Sequence, residues 1–269
     1  MDCEQDSMTF GMAFSRIGMP VAEIRDYLDF SGFNALELPW EVFFNPDSTA
    51  DTLYKEICRR NKTVLCGAVM ESRLSRSITF AEDRFQKDFS LQLARALQFL
   101  ASRNIRTATL DCPLENFLEN EAACNDMRRI LQGAANVLVK ENMTLLLPCA
   151  VPAAVSHPAV MRFMRNTQIP GIKLRLDIMP WHPECAATPV EDLIGRLPME
   201  TRAVTFKYDA DCGNRILKEQ VKPVLTALKK FNFTGSVLLA SMSQQNRMAY
   251  PEANQFSEIL KELSEFTGS

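Results

Sequence analysis

Eight short β-prone runs recur along this chain, and most of the segments between them carry apolar residues at helical spacing. The runs are FGMAF (10–14), ALEL (35–38), TVLCGAVM (63–70), RTATLD (106–111), MTLLLP (143–148), IKLRLD (172–177), AVTFKY (203–208) and SVLLA (236–240). Helical spacing is clearest in VAEIRDYLDF (21–30), FSLQLARALQFLASR (89–103), MRRILQGAANVLVKE (127–141) and VKPVLTALKKF (221–231). Strands joined through helices pair in parallel, because a parallel neighbour needs a long crossover. Eight such units close into an α/β (β/α)8 TIM barrel, and the count favours that over an open doubly wound sheet. The 269 residues suit a single barrel domain, 1–269, which takes about 250 residues.

The punctuation agrees with this rhythm. Ser31-Gly32-Phe33, Asn104 and Asn142 follow the first, third and fourth helical segments, where a small or amide residue suits a left-handed cap. DSTADTLYKEICRRN (47–61) reads as a shorter helix, and PEANQFSEILKELSEF (251–266) as the last, packing beside the first strand to close the ring.

Composition removes several classes of function. The 30 basic and 33 acidic residues are interspersed, giving a net charge of -3 and no footprint for nucleic acid. No apolar stretch approaches the roughly 20 residues of a membrane span, and MDCEQDSMTF lacks the layout of a signal peptide, so the expectation is a cytoplasmic protein with no membrane partner. Eight dispersed cysteines with no CxxC pair point to reduced thiols. Cys66, Cys112 and Cys149 fall near the ends of apolar runs, where either a thiolate site or ordinary buried cysteine is possible.

The segment GMPVAEIRDYLDFSGFNALEL (18–38), a helix ending in Gly-Phe before a strand that bears a glutamate, resembles the first helix and second strand of the xylose isomerase-like TIM barrels. That family holds sugar isomerases and epimerases together with apurinic endonucleases. VTFKYD (204–209) is similar to its seventh strand and FTGSVLLA (233–240) to its last. The resemblance runs through nearly the whole chain, and it implies the barrel fold and a sugar isomerase or epimerase by kinship. It also implies four metal ligands at strand ends: a glutamate on the fifth strand, an aspartate on the sixth with a histidine three residues later, a histidine on the seventh and a glutamate on the eighth. This sequence places Pro148, Asp177 with Pro180, Thr205 and Ala240 at those positions. One ligand of the four remains, and a lone carboxylate does not replace the hydration of a divalent ion. The expectation is therefore a degenerate metal site, with no metal and no other cofactor.

Strand alternation suggests what replaced the ion. Residues two apart share a face, so Arg175 lies below Asp177 with Lys173 deeper, and Thr205 shares a face with Lys207. A lysine or arginine in place of the metal would neutralise Asp177, since an unpaired buried carboxylate costs on the order of several kcal/mol. Glu37, Glu71 and Asp111 stand at or near the ends of their runs, on the face where barrel active sites are built, or else are solvated loop-edge carboxylates. His182 sits between prolines in LRLDIMPWHPE (174–184), a position for a partly exposed loop histidine or one curling back to the pocket. Trp40 and Trp181 are candidate sugar platforms, with loop packing the plainer use.

Three functions remain open. The first is metal-free proton transfer on a sugar-like ligand, with Glu37, Glu71 or Asp177 as acid or base and Lys207 or Arg175 meeting an oxyanion; Trp40, Asp111, Arg175 and His182 would bind the ligand. The second is a non-catalytic carbohydrate-binding or regulatory relative. The third makes Lys207 a Schiff-base nucleophile, as in lysine-dependent barrel aldolases. Association into a homo-oligomer through the outer helices is compatible with each.

Overall fold

The structure is a computed structural model that describes residues 8–13, 33–43, 64–71, 83–151, 157–179, 187–197, 199–208, 215–241, 258–259 and 261. Eight strands, β1 (Thr9–Ala13), β2 (Ala35–Pro39), β3 (Val64–Glu71), β4 (Thr107–Asp111), β5 (Thr144–Val151), β6 (Ile172–Ile178), β7 (Thr201–Tyr208) and β8 (Ser236–Ser241), pair in chain order into a closed barrel. Each pairs in parallel with its neighbour, and β1 closes the ring on β8 with Gly11 opposite Leu238. The described crossover helices are α1 (Asp83–Ser102), α2 (Glu121–Lys140), α3 (His157–Thr167), α4 (Ala187–Arg196) and α5 (Arg215–Lys230). The helical segments expected at 21–30 and 47–61 lie outside the described residues, and of the last one only 258, 259 and 261 are described, as helix. None of the described helices is long and apolar enough to cross a membrane.

Two apolar clusters result from strand alternation. Leu145, Leu147, Cys149 and Val151 face outward from β5 into a large shell with the buried stripe of α2: Ala123, Met127, Ile130, Leu131, Ala134 and Leu138. Ala13, Ala35, Leu238 and Ala240 form a second, much smaller cluster from β1, β2 and β8. Three of the four are alanines, which leaves volume in the barrel interior for longer side chains.

The turns follow the sequence. Asn120 caps α2, accepting a hydrogen bond from Ala123 N at 3.2 Å, a contact worth about 1 kcal/mol. Asn104 and Asn142 have φ of 62° and 49°, the left-handed conformation in which an amide side chain is tolerated.

β5 departs from its expected extent, running three residues past MTLLLP to Val151. The reason lies in which way its amides point. Thr144 N donates to Arg106 O at 2.8 Å on the β4 side, whereas Leu145 N donates to Gly171 O at 2.7 Å on the β6 side. Even-numbered amides therefore face β4, and Pro148, which has no N–H, falls on that side. Registered pairing of β4 with β5 stops at Thr109 opposite Leu146, while β5 and β6 stay paired to Val151 opposite Ile178. The Leu110 carbonyl accepts instead from Cys112 N at 2.7 Å. A proline tolerated on one side of the strand thus opens the β4–β5 ladder near the C-terminal rim.

The barrel is tight at Gly11, where a Cβ would lie 1.9 Å from Ala35 O. Gly11→Ala is expected to destabilise the protein by about 1 to 3 kcal/mol in urea unfolding, because the obstacle is neighbouring backbone rather than a mobile side chain. Unchanged stability would mean that β1 and β2 separate freely at this point.

Candidate active site

Arg175 and Asp177 occupy the same face of β6, and both are buried. The Arg175 side chain runs up the strand and grips the carboxylate of Asp177 with two bonds, Nε to Oδ1 at 2.8 Å and Nη2 to Oδ2 at 3.0 Å. Its remaining edge crosses the barrel to β2, where Nη1 lies 3.5 Å from Oε1 of Glu37. The hydroxyl of Thr109 on β4 donates to the same Glu37 oxygen. From β7, Lys207 places Nζ 3.2 Å from Asp177 Oδ2. Side chains from β2, β4, β6 and β7 therefore form one chain of charge-assisted contacts.

The electrostatics follow from that arrangement. Burial would push the pKa of Asp177 up, but Arg175 and then Lys207 outweigh it and hold the carboxyl below the usual carboxylate range. Burial likewise works against the charge of Arg175, and Asp177, followed by Glu37, more than offsets it and holds the guanidinium above its ordinary value. Both ions stay charged at neutral pH. Three buried side-chain polar atoms make no hydrogen bond among the described residues, and two of them, Oε2 of Glu37 and Oγ1 of Thr205, belong to the barrel interior.

Of the residues singled out from sequence, the structure unites Glu37, Arg175, Asp177 and Lys207. Asp111, half-buried at the end of β4, acts on Arg175 through its charge. Glu71 ends β3 in register with Asp111, and its side chain lies outside the described residues, as do Pro180, Trp181 and His182. Trp40 opens a 3-10 turn (Trp40–Phe43) and packs, half-buried, against the large apolar shell. Lys173 leaves the site altogether, binding Met199 O at 2.7 Å and Glu200 at 3.0 Å at the opposite end of the strand.

Cys112 and Cys149 are free thiols in the apolar shell. Burial, then Asp111 and Glu115, pushes the Cys112 pKa up to about 12, and burial with Glu115 and Asp177 raises Cys149 further. Neither is a thiolate, which assigns both to packing.

Sequence reasoning missed two participants. Thr109 stands two residues before Asp111 and so shares its inward face, a signal available in RTATLD. Glu115 was less accessible to such reasoning. It lies on a 3-10 turn after β4 (Leu114–Asn116), and its Oε2 accepts from Ala150 N on β5 at 3.3 Å.

A divalent ion of the kind the family resemblance implies does not fit these residues. The lone pairs of Asp177 that would coordinate it point at a guanidinium and an ammonium, and the other three aligned positions hold Pro148, Thr205 and Ala240. Among the described residues no group of three or more His, Cys, Asp or Glu side chains is arranged to hold a metal.

Solved structures share this architecture from end to end. D-allulose 3-epimerase from Methylomonas sp., in complex with D-allulose, superposes with a TM-score of 0.69 over 96% of this chain and 97% of its own, at 10% identity. The 3-keto-D-glucoside 4-epimerase of E. coli gives 0.66 over 96% and 100%, at 12% identity. A xylose isomerase domain protein from Alicyclobacillus acidocaldarius gives 0.66 over 98% and 100%, at 15% identity. The chain has the fold of the sugar epimerases and isomerases. At such low identity the likeness speaks for the fold, since one fold hosts many reactions. No family model matches the sequence, and no curated protein is similar to it in sequence.

Arg175→Met is expected to cost about 3 to 5 kcal/mol of unfolding free energy, because it strands Asp177 and Glu37 without their shared cation. Asp177 contributes its stability in full above the ordinary carboxylate pKa and loses it as pH falls through its lower folded value. The wild-type protein should therefore weaken below about pH 4, and Asp177→Asn should flatten that limb of the stability curve. An unchanged acid limb would remove Asp177 from the account.

Proposed function

We propose that this barrel is a sugar isomerase or epimerase-like protein that performs proton transfer next to a carbonyl without a metal, with Lys207 meeting the oxyanion. The observation that carries the reading is the Arg175–Asp177–Lys207 cluster, which puts fixed cations inside a barrel of the sugar-epimerase fold. Arg175 is buried and held between two carboxylates. Lys207 is different: it is partly exposed, and an ammonium has three donors, of which the structure assigns one to Asp177. Among the described residues its remaining donors are available to a substrate oxygen.

In the chemistry, a carboxylate takes the proton from a carbon beside the carbonyl. The C–H electron pair becomes the C=C bond, the carbonyl pair moves onto oxygen, and the ammonium of Lys207 stabilises the resulting enediolate. Return of a proton completes the exchange. Asp177 serves as the counter-ion that fixes Lys207, since both of its oxygens already accept from cations. The sequence names Glu37 and Glu71 as candidates for the acid and base, and of these Glu37 is buried with Oε1 held by Thr109 and Arg175. Asp111, half-buried at the same rim, suits a ligand hydroxyl. Trp40 and His182 stay as candidate ligand contacts.

A second reading, a carbohydrate-binding relative without turnover, draws support from Pro148, Thr205 and Ala240 at the aligned ligand positions. The Schiff-base reading is disfavoured, because an ammonium bound to a carboxylate at 3.2 Å carries no lone pair for carbonyl attack.

Purified protein incubated in D2O with a panel of ketohexoses, free and phosphorylated, should place deuterium beside the carbonyl. Lys207→Met should slow this by about 100-fold or more, the usual scale for losing one oxyanion donor. Binding without exchange would select the non-catalytic relative, and borohydride trapping of a sugar on Lys207 would select the aldolase. Metal analysis should find no stoichiometric Mn, Mg, Zn or Co, and an ion at full occupancy on Asp177 would overturn the metal-free reading.

A further inference from the structure

Resting on the catalytic reading above, we infer that Glu115 is the residue that carries the substrate proton, and that Asp177 is excluded from that role. The two carboxylates lie at the same rim in opposite circumstances. Ala150, whose N–H the Glu115 carboxylate accepts at 3.3 Å, is in register with Asp177, so Glu115 stands over the end of β5 beside the ion cluster. It reaches that place because Pro148 ends the β4–β5 ladder: Ala150 has an even-numbered amide, which faces the β4 side where no strand partner remains.

A proton carrier must reach the substrate, accept a proton and give it up. Asp177 fails on each count, being buried with Arg175 and Lys207 bound to both of its oxygens. Glu37 is also buried, and its Oε1 is held by Thr109 and Arg175. Glu115 is only half-buried. Among the described residues, the titratable groups in electrostatic contact with it are Cys112 after β4, Cys149 on β5 and Asp177 on β6, and none of these is a cation.

Its titration agrees with that placement. Burial raises the pKa of Glu115, the backbone amides of Glu115 and Ala150 lower it, and the charge of Asp177 adds to the rise. The net direction is upward, opposite to that of Asp177. Neighbouring carboxyl groups driven apart in this way divide into a fixed anion and a proton-transferring acid or base. In the reaction, ionised Glu115 takes the proton from the carbon beside the carbonyl, and the electron pair passes through the new C=C bond to the oxygen held by Lys207. Glu115, now protonated, exchanges with solvent and returns a proton to carbon as the electron pair flows back. No oxidant, reductant or other reactant is consumed.

The test is deuterium exchange into the ketohexose panel by wild-type, Glu115→Gln and Glu115→Asp proteins. Glutamine keeps an acceptor for Ala150 N–H, so this variant should fold, and melting curves verify that. The raised pKa means Glu115 costs stability once pH rises through its ionisation window, so Glu115→Gln should melt no lower than wild type at pH 7. Its exchange rate should fall at least 100-fold, and the rise of rate with pH that marks an ionising base should vanish. Glu115→Asp should restore part of the rate. Exchange retained by the glutamine variant, with its pH limb intact, overturns the role of Glu115 and leaves the barrel's proposed function standing. No exchange by wild type on any sugar removes the catalytic reading itself, and a catalytic Glu115 with it.

Discussion

The bidentate contact between Arg175 and Asp177 is the interaction on which the interior of this barrel depends. Two side chains on one strand face, neither stable alone in a dry interior, satisfy each other, and the guanidinium still reaches Glu37 across the barrel. A pair of this kind adds little to stability beyond what apolar packing would provide, yet losing either partner is severe. Its effect is to fix geometry. Asp177 is held in one orientation, and Lys207 is then oriented by Asp177.

That geometry separates the carboxylates by task. Asp177 is held as an anion by Arg175 and Lys207, while Glu115, bound among the described residues through backbone amides and lying near Asp177, is shifted the other way. Small side chains beside the ionic ones leave room for them, with Ala13 in register with Glu37 and Ala240 with Lys207. The solved epimerases share this fold.

Pro148 links fold and site. Its missing amide ends the pairing of β4 with β5, and the Ala150 N–H left at the rim is taken by the Glu115 side chain. A residue without an amide therefore decides where a side chain from the β4 connection meets β5.

The sequence by itself determined the eightfold alternation, the left-handed caps at Asn104 and Asn142, and the shared face of Arg175 and Asp177. Each is a local consequence of helical or strand periodicity and of backbone preference. It also allowed Lys207 to be placed near Asp177, because strands adjacent in a barrel present the same face inward. Tertiary structure alone decided that Lys173 turns out of the barrel toward Glu200, that β5 continues past Pro148, and that Glu115 meets β5 from 35 residues away. These depend on strand register and on which amides lack a partner. Register comes from the closure of the whole ring, so no window of sequence contains it.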